Sequence, residues 1–402
     1  MPDLIYLDHA ATTPIDPRVL DAMLPWLSGR FGNPSALYRL GRDAQQAIET
    51  ARQQVAACLN ARPSEIIFTS GGSESANAAV RGLLLAAQLA RTANHIVTTT
   101  IEHHAVLHTC EYLERFGVEV TYVPPDDEGR ISAESIIQSV RPDTGIVSLM
   151  LANNEVGTLQ PVAEVARLVQ ERGRSLGRRI PVYTDAVQAP GWLSLDVRAL
   201  GVDALSLSAH KFGGPKGAGV LYLRRGIPFL AQQTGGGQER QRRAGTENVA
   251  GIVGTGLALH IAEAAREEAS PRVRVLRDQL EASILARVPR TSRNGHPTAR
   301  LPNNVNIAFH GVKGDVLVEE LDRLDLAASA GSACATMTWE PSHVLMAMGQ
   351  TQEQAASAVR FSLGPEHTST TLHDAVERIE RAVRVVRANA GMAPSMALPG
   401  AT

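Results

Sequence analysis

Residues 180–223 read IPVYTDAVQAPGWLSLDVRALGVDALSLSAHKFGGPKGAGVLYL, and three short apolar runs inside them, Ile180 to Thr184, Ala204 to Ser208 and Gly219 to Leu223, set the pattern that decides the fold. Each run is strand-length and bounded by turn residues. The first two end on chemistry: Asp185-Ala186-Val187-Gln188 follows one and Ala209-His210-Lys211 the other. Working outward, similar runs stand at Glu65 to Thr69, His95 to Thr99, Val118 to Val123 and Ile146 to Leu151, separated by longer stretches rich in Ala, Leu and Glu. That alternation predicts an α/β domain with a mostly parallel sheet covered by helices. Ser70-Gly71-Gly72-Ser73, Glu102-His103 and Asn153-Asn154 also fall just beyond predicted strands. Open α/β sheets bind ligands there, outside the carboxyl ends of the strands.

A chain of 402 residues, 44% of them hydrophobic, can bury a large core and is expected to divide into a large unit and a smaller one. After about Leu257 the texture changes to a charged helical stretch, Ala262 to Val288, then a strand at Asn304 to Phe309 and helices around Leu372 to Ala388. The expected division is 15–262 for the large domain and 1–14 with 263–390 for a smaller α+β domain. The 391–402 tail, rich in Ala, Pro and Met, is expected to fray. No repeat of solenoid period occurs.

The net charge of -2 suggests no long-range field for nucleic acid or an anionic membrane. Cys58, Cys110 and Cys334 are too few for a disulfide framework and form no C-x-x-C pair, which favours a reducing compartment and no metal site. The opening MPDLIYLDHAATTP has no basic segment followed by an apolar run, and no apolar stretch approaches the roughly 20 residues of a membrane span. A cytoplasmic location with no membrane contact is expected.

Lys211 lies between a strand end and Phe212-Gly213-Gly214-Pro215-Lys216-Gly217, a loop suited to close backbone approach. A lysine in a partly desolvated, positive setting loses basicity and can form a Schiff base with a carbonyl cofactor; a solvated loop lysine is the plain alternative. Asp185 ends the neighbouring strand, so the two face one pocket, and its carboxylate suits the protonated ring nitrogen of pyridoxal phosphate or, more simply, a helix N-cap. Gly71-Gly72-Ser73 opens an Ala-rich helix whose free amides suit a phosphate. It matches neither the mononucleotide nor the dinucleotide glycine pattern. His103 and His104 begin a helix and point to different faces, so one metal between them is improbable; one imidazole can lie on a ring, or simply cap the helix. Cys334 stands among small residues, Ala328 to Thr336, which read as an accessible loop, whereas Cys58 and Cys110 read as packing. Arg360, a lone charge in an apolar run, is expected to meet a carboxylate.

Taken in order, Tyr6-Leu7-Asp8, Ala11-Thr12-Thr13-Pro14, Phe31-Gly32-Asn33-Pro34-Ser35, Phe68-Thr69-Ser70-Gly71, Glu102-His103, Asn153 to Gly157, Asp185 to Gln188, Ser208 to Lys211, Gly235 to Glu239, Gly245-Thr246, Gly331 to Cys334 and Arg360 to Gly364 resemble the cysteine desulfurases of the housekeeping and nitrogen-fixation kind. These belong to the class V aminotransferase branch of fold-type-I pyridoxal-phosphate enzymes. The resemblance runs from Tyr6 to about Ala388.

It implies that Lys211 links covalently to pyridoxal 5'-phosphate, Asp185 pairs with the ring nitrogen, His103 stacks on the ring and Gln188 bonds the phenolic oxygen. Gly72, Ser73, Ser208 and His210 would hold the phosphate, and Thr246 would reach the phosphate of a partner subunit in a homodimer. Asn154, beside the cofactor, and Arg360 would hold the carboxylate of L-cysteine. The implied chemistry passes the substrate sulfur to Cys334 as a persulfide and releases L-alanine; a sulfur-acceptor protein, such as an iron-sulfur scaffold or thiolation relay, would take the sulfur onward. Ala335-Thr336-Met337 replaces the Thr-Ser pair usual after the cysteine, and Gly72 replaces a commoner alanine. The rival readings are a selenocysteine lyase, a plain aminotransferase that does not need Cys334, and a cofactor-free scaffold protein.

Overall fold

Short β-branched runs bounded by turns become strands of a seven-stranded sheet in the computed structural model, which describes residues 4–330 and 341–391. In spatial order the strands are Ile66–Thr69, Gly219–Leu223, Ala204–Ser208, Val182–Asp185, Thr144–Ser148, His95–Thr99 and Glu119–Val123. All neighbours from Ala204–Ser208 to Glu119–Val123 pair in parallel. Gly219–Leu223 alone runs antiparallel to both its neighbours. Its direction follows from the short link after Lys211, which lacks the crossover helix that a parallel return requires. The inner strands are buried along their whole length, as expected of strands covered on both faces. Three runs match their predicted bounds; the strand expected at Ile146 to Leu151 is instead Thr144–Ser148.

The largest departure from the sequence reading is a helix. The stretch predicted to start at Ala262 runs as one helix, Val249–Arg287, capped by the Asn248 side chain accepting from Gly251 N at 3.0 Å. Gly251, Gly254 and Gly256 lower the local helix propensity of its start, yet they admit close helix packing. A Cβ on Gly256 would lie 2.8 Å from Ala51 Cα, and one on Gly254 would meet Met23 Sδ at 2.5 Å. Tertiary contact with the helices Arg39–Cys58 and Pro17–Leu27 thus overrides weak local propensity.

This helix passes through residue 262 unbroken and joins two cores. Ala250, Ile252, Ala258 and Leu259 belong to the core around the large sheet. Val273, Leu276, Leu280 and Ile284 belong to another, with Ile5, Leu7, Val305, Phe309, Phe361 and Ile379. The second core is covered by an antiparallel sheet in the order Ser329–Ala330, Ala358–Ser362, Asn304–Phe309, Thr291–Asn294, and by the helix Ser369–Asn389. The opening strand Ile5–Tyr6 pairs in parallel with Leu326–Ala327, so residues 7–13 cross from the second core to the ends of the large sheet. Among the described residues no helix is long and apolar enough to cross a membrane.

Candidate active site

Lys211 ends a 3-10 turn, Ala209–Lys211, directly after the strand Ala204–Ser208. Phe212 N and Gly214 N both donate to Ala209 O, at 3.1 and 2.9 Å. The reversal is so tight that a Cβ on Gly214 would sit 2.8 Å from that oxygen, and Gly213 takes φ +79°, which glycine adopts at little cost. The lysine side chain meets the opening segment: Nζ donates to Ala10 O and to Ala11 O, each at 2.6 Å. Thr13 Oγ1 donates to His210 O at 3.0 Å and accepts from Gly213 N at 2.8 Å, while His210 Nδ1 lies 3.1 Å from Thr12 Oγ1. Burial, then the charges of Lys211 and Lys216, lower the His210 pKa to about 4.

Asp185 closes the adjacent strand, in register with Ser206 of the lysine's strand. Its Oδ1 accepts from Val187 N at 2.9 Å, capping a turn rather than a helix. Burial raises its pKa to about 6, against the opposing pull of that backbone N–H, Ser206 and Lys211. His103 precedes the helix His104–Glu114 and caps it, its Nδ1 accepting from Ala105 N at 3.1 Å. The neutral ring therefore carries its proton on Nε2. Burial, then the Lys211 charge, pulls its pKa down to about 4, so it is neutral at pH 7. His103 thus caps the helix, one of the two readings weighed for it, and also lines the cavity.

Gly72 and Ser73 begin the helix Gly72–Leu89, and Gly71 before them supplies no side-chain cap, which leaves first-turn amides for another acceptor. A Cβ on Gly72 would approach Val187 Cγ2 to 2.9 Å and Ser208 Cβ to 3.3 Å, so the small residue keeps this end of the cavity open. Arg360, in the strand Ala358–Ser362, donates to Asp8 Oδ1 and to Asn154 O, both at 2.9 Å. Asp8 is thus the carboxylate expected opposite it. Among the described residues its buried Nε has no acceptor. Gln188 Nε2 donates to Ala10 O at 3.0 Å.

One cavity of about 320 Å³ gathers Gly72, Ser73, His103, Asn154, Asp185, Gln188, Ser208, His210, Lys211 and Arg360 in its wall. Thr246 is absent from that wall and lies exposed before the long helix. Cys334 lies outside the described residues. The other two thiols are inert packing, as expected: burial pushes the Cys58 pKa up to about 11 and Cys110 higher still.

Three groups at the site were given no role by the sequence. Glu102 is buried, accepts from Met150 N at 2.7 Å, and is raised to about 8 by burial and then by the nearby Asp185 charge. Glu155 is buried, accepts the Ser342 hydroxyl, and is raised to about 7 by burial. His343 lines the cavity, donates from Nε2 to Glu102 O at 3.0 Å, and packs its ring 4.5 Å from that of His104. Glu102 and Glu155 each adjoin a flagged residue, which is a usable signal. His343 is remote in sequence and gave none.

The donor set suits pyridoxal phosphate: a helix N-terminus with Ser73, Ser208 and His210 for a phosphate, a buried carboxylate for a ring nitrogen, and a lysine beside both. The family model for class-V aminotransferases matches residues 5–374. The cysteine desulfurase IscS of Methanosarcina thermophila is 45% identical over 390 residues, covering 97% of this chain and 94% of that protein. The enzyme of the same name from Clostridium botulinum strain Hall is 44% identical, over 94% of each chain. Among solved structures, a NifS-like protein superposes with a TM-score of 0.88 at 37% identity, over 95% of this chain and all of the other. DndA from Streptomyces lividans gives 0.74 at 37% identity, over 89% of this chain and 99% of its own. This chain belongs to the class-V aminotransferase family.

Proposed function

We propose that the protein is a cysteine desulfurase that uses pyridoxal 5'-phosphate to take sulfur from L-cysteine, releasing L-alanine and holding the sulfur on Cys334 for an acceptor protein. The observation that supports it most is the convergence of Lys211, Asp185, His103 and Arg360 on one cavity in a chain whose relatives are named cysteine desulfurases. When bound, the cofactor withdraws electrons from the α-carbon of an amino-acid substrate.

The chain's own groups do the rest. First-turn amides of the helix Gly72–Leu89, with Ser73, Ser208 and His210, bind the phosphate. Asp185 holds the ring nitrogen's proton by charge pairing, which stabilises its carboxylate form against the cost of burial. Lys211 would hold the cofactor through its amine, and that amine, when free, takes the proton from the substrate α-carbon. His103 is neutral in the buried wall of the cavity. Arg360, oriented by Asp8 and the Asn154 carbonyl, has donor capacity left for the substrate carboxylate. The Cys334 thiolate attacks the substrate sulfur; the carbon-sulfur bond breaks, its electron pair stays with the β-carbon, which takes up a proton, and return of a proton to the α-carbon from Lys211 completes alanine. A persulfide remains on Cys334.

We also propose a large domain, 15–262, and a smaller one, 1–14 with 263–390, sharing the long helix. A homodimer, in which Thr246 reaches the partner's phosphate, and a cytoplasmic location complete the reading. Titrating cofactor-free protein with pyridoxal phosphate tests the site. The wild type is expected to develop a visible absorption band and desulfurise L-cysteine, and Lys211→Ala to do neither; an unchanged band in Lys211→Ala would refute the assignment.

A further inference from the structure

His9, Glu366 and His367 bring one ligand atom each within 4.8 Å of one another, outside the cavity. They are committed to hydrogen bonds. His367 Nδ1 accepts from Gly364 N at 2.9 Å, so its lone pair is taken. His9 faces oxygens on both sides: Nδ1 lies 3.3 Å from Ser362 O and Nε2 lies 2.9 Å from Glu366 Oε1. The ring is held edge-on by Tyr6 at 5.1 Å and His367 at 5.5 Å, and a side-chain carbon on Gly364 would collide with both His9 Nε2 and the Glu366 carboxylate. Arg272, on the long helix, ties down the same loop through the carbonyls of Pro365 and His367.

The residues beside His9 belong to the site. Asp8 orients Arg360 at 2.9 Å, and Ala10 O accepts from Lys211 and Gln188. The backbone between is laced to one residue: Ser362 N donates to Leu7 O at 2.7 Å, and Ala10 N donates to Ser362 Oγ at 2.8 Å.

We propose that His9 and Glu366 are positioning residues. Their charge-assisted bond clamps residues 8–11 against 362–366 and so fixes the Asp8–Arg360 pair that receives the substrate carboxylate. This rests on the reading of Arg360 given above. The Glu366 side chain is 58% exposed, so Glu366→Gln removes the charge without opening a core.

The test is steady-state alanine formation from L-cysteine by the cofactor-loaded wild type, Glu366→Gln, His9→Gln and Arg360→Lys, with a melting curve for each. Expected for Glu366→Gln is a KM raised about fivefold with kcat within about twofold and an unchanged melting point, the size of one charge-assisted contact. His9→Gln, if folded, should show the same split, and Arg360→Lys a larger one. A raised KM for Arg360→Lys with none for Glu366→Gln would overturn the clamp alone. An unchanged KM for Arg360→Lys would overturn the carboxylate reading and the clamp with it.

Discussion

Asp185 and Glu102 bind protons more tightly in the folded chain than in the unfolded one, since burial raises them from 3.8 to about 6 and from 4.5 to about 8. The folded state then carries more protons, so these groups make stability fall as pH rises, through roughly pH 4 to 6 for Asp185 and pH 4.5 to 8 for Glu102. Glu102→Gln keeps the shape of the neutral acid and should flatten the fall. Urea denaturation of cofactor-free protein at pH 5.5 and pH 8 is expected to show the variant gaining more on the wild type at pH 8 than at pH 5.5; equal differences at both would contradict it. On the proposed role of Asp185 opposite the ring nitrogen, Asp185→Asn should lower kcat by about a hundredfold or more while leaving the fold intact. Lys211 and Asp185 were legible because Asp185 ends a strand of the sheet and Lys211 stands in the turn directly after its neighbour. The position of Glu102 at a strand end was legible too, but its burial was not, nor was His343: a buried charge and a ring seated against residue 104 exist only once separate segments are packed together.

The turns that follow the strands do as much as the side chains they carry. Gly214→Ala would push a methyl group into Ala209 O, 2.8 Å away, and shift the turn that aims Lys211. Its affinity for pyridoxal phosphate, read by the same absorbance titration, is expected to drop about tenfold or more; wild-type affinity would show that the turn tolerates the shift. Strands such as Ala204–Ser208 were readable because β-rich runs with polar ends are local features. The start of the helix Val249–Arg287 was not, because Gly251, Gly254 and Gly256 are poor helix formers whose place in a helix is decided by the helices Pro17–Leu27 and Arg39–Cys58 packing onto them.

At the scale of the whole molecule, the long helix, residues 7–13 and residues 344–359 all run between the core of the sheet carrying Lys211 and the core beside Arg360. Thr246 stands exposed and away from the cavity of its own chain. If it completes the partner's phosphate site, sedimentation should find a dimer, and Thr246→Ala should weaken cofactor binding about tenfold; a monomer with full cofactor affinity would contradict that. The sulfur-carrying role of Cys334 is tested most directly by alanine and sulfide release from L-cysteine, comparing cofactor-loaded wild type with Cys334→Ala and recording both visible spectra. The expected result is an unchanged cofactor band with release lowered by about a hundredfold or more in the variant. Full turnover by Cys334→Ala would contradict sulfur transfer through this residue.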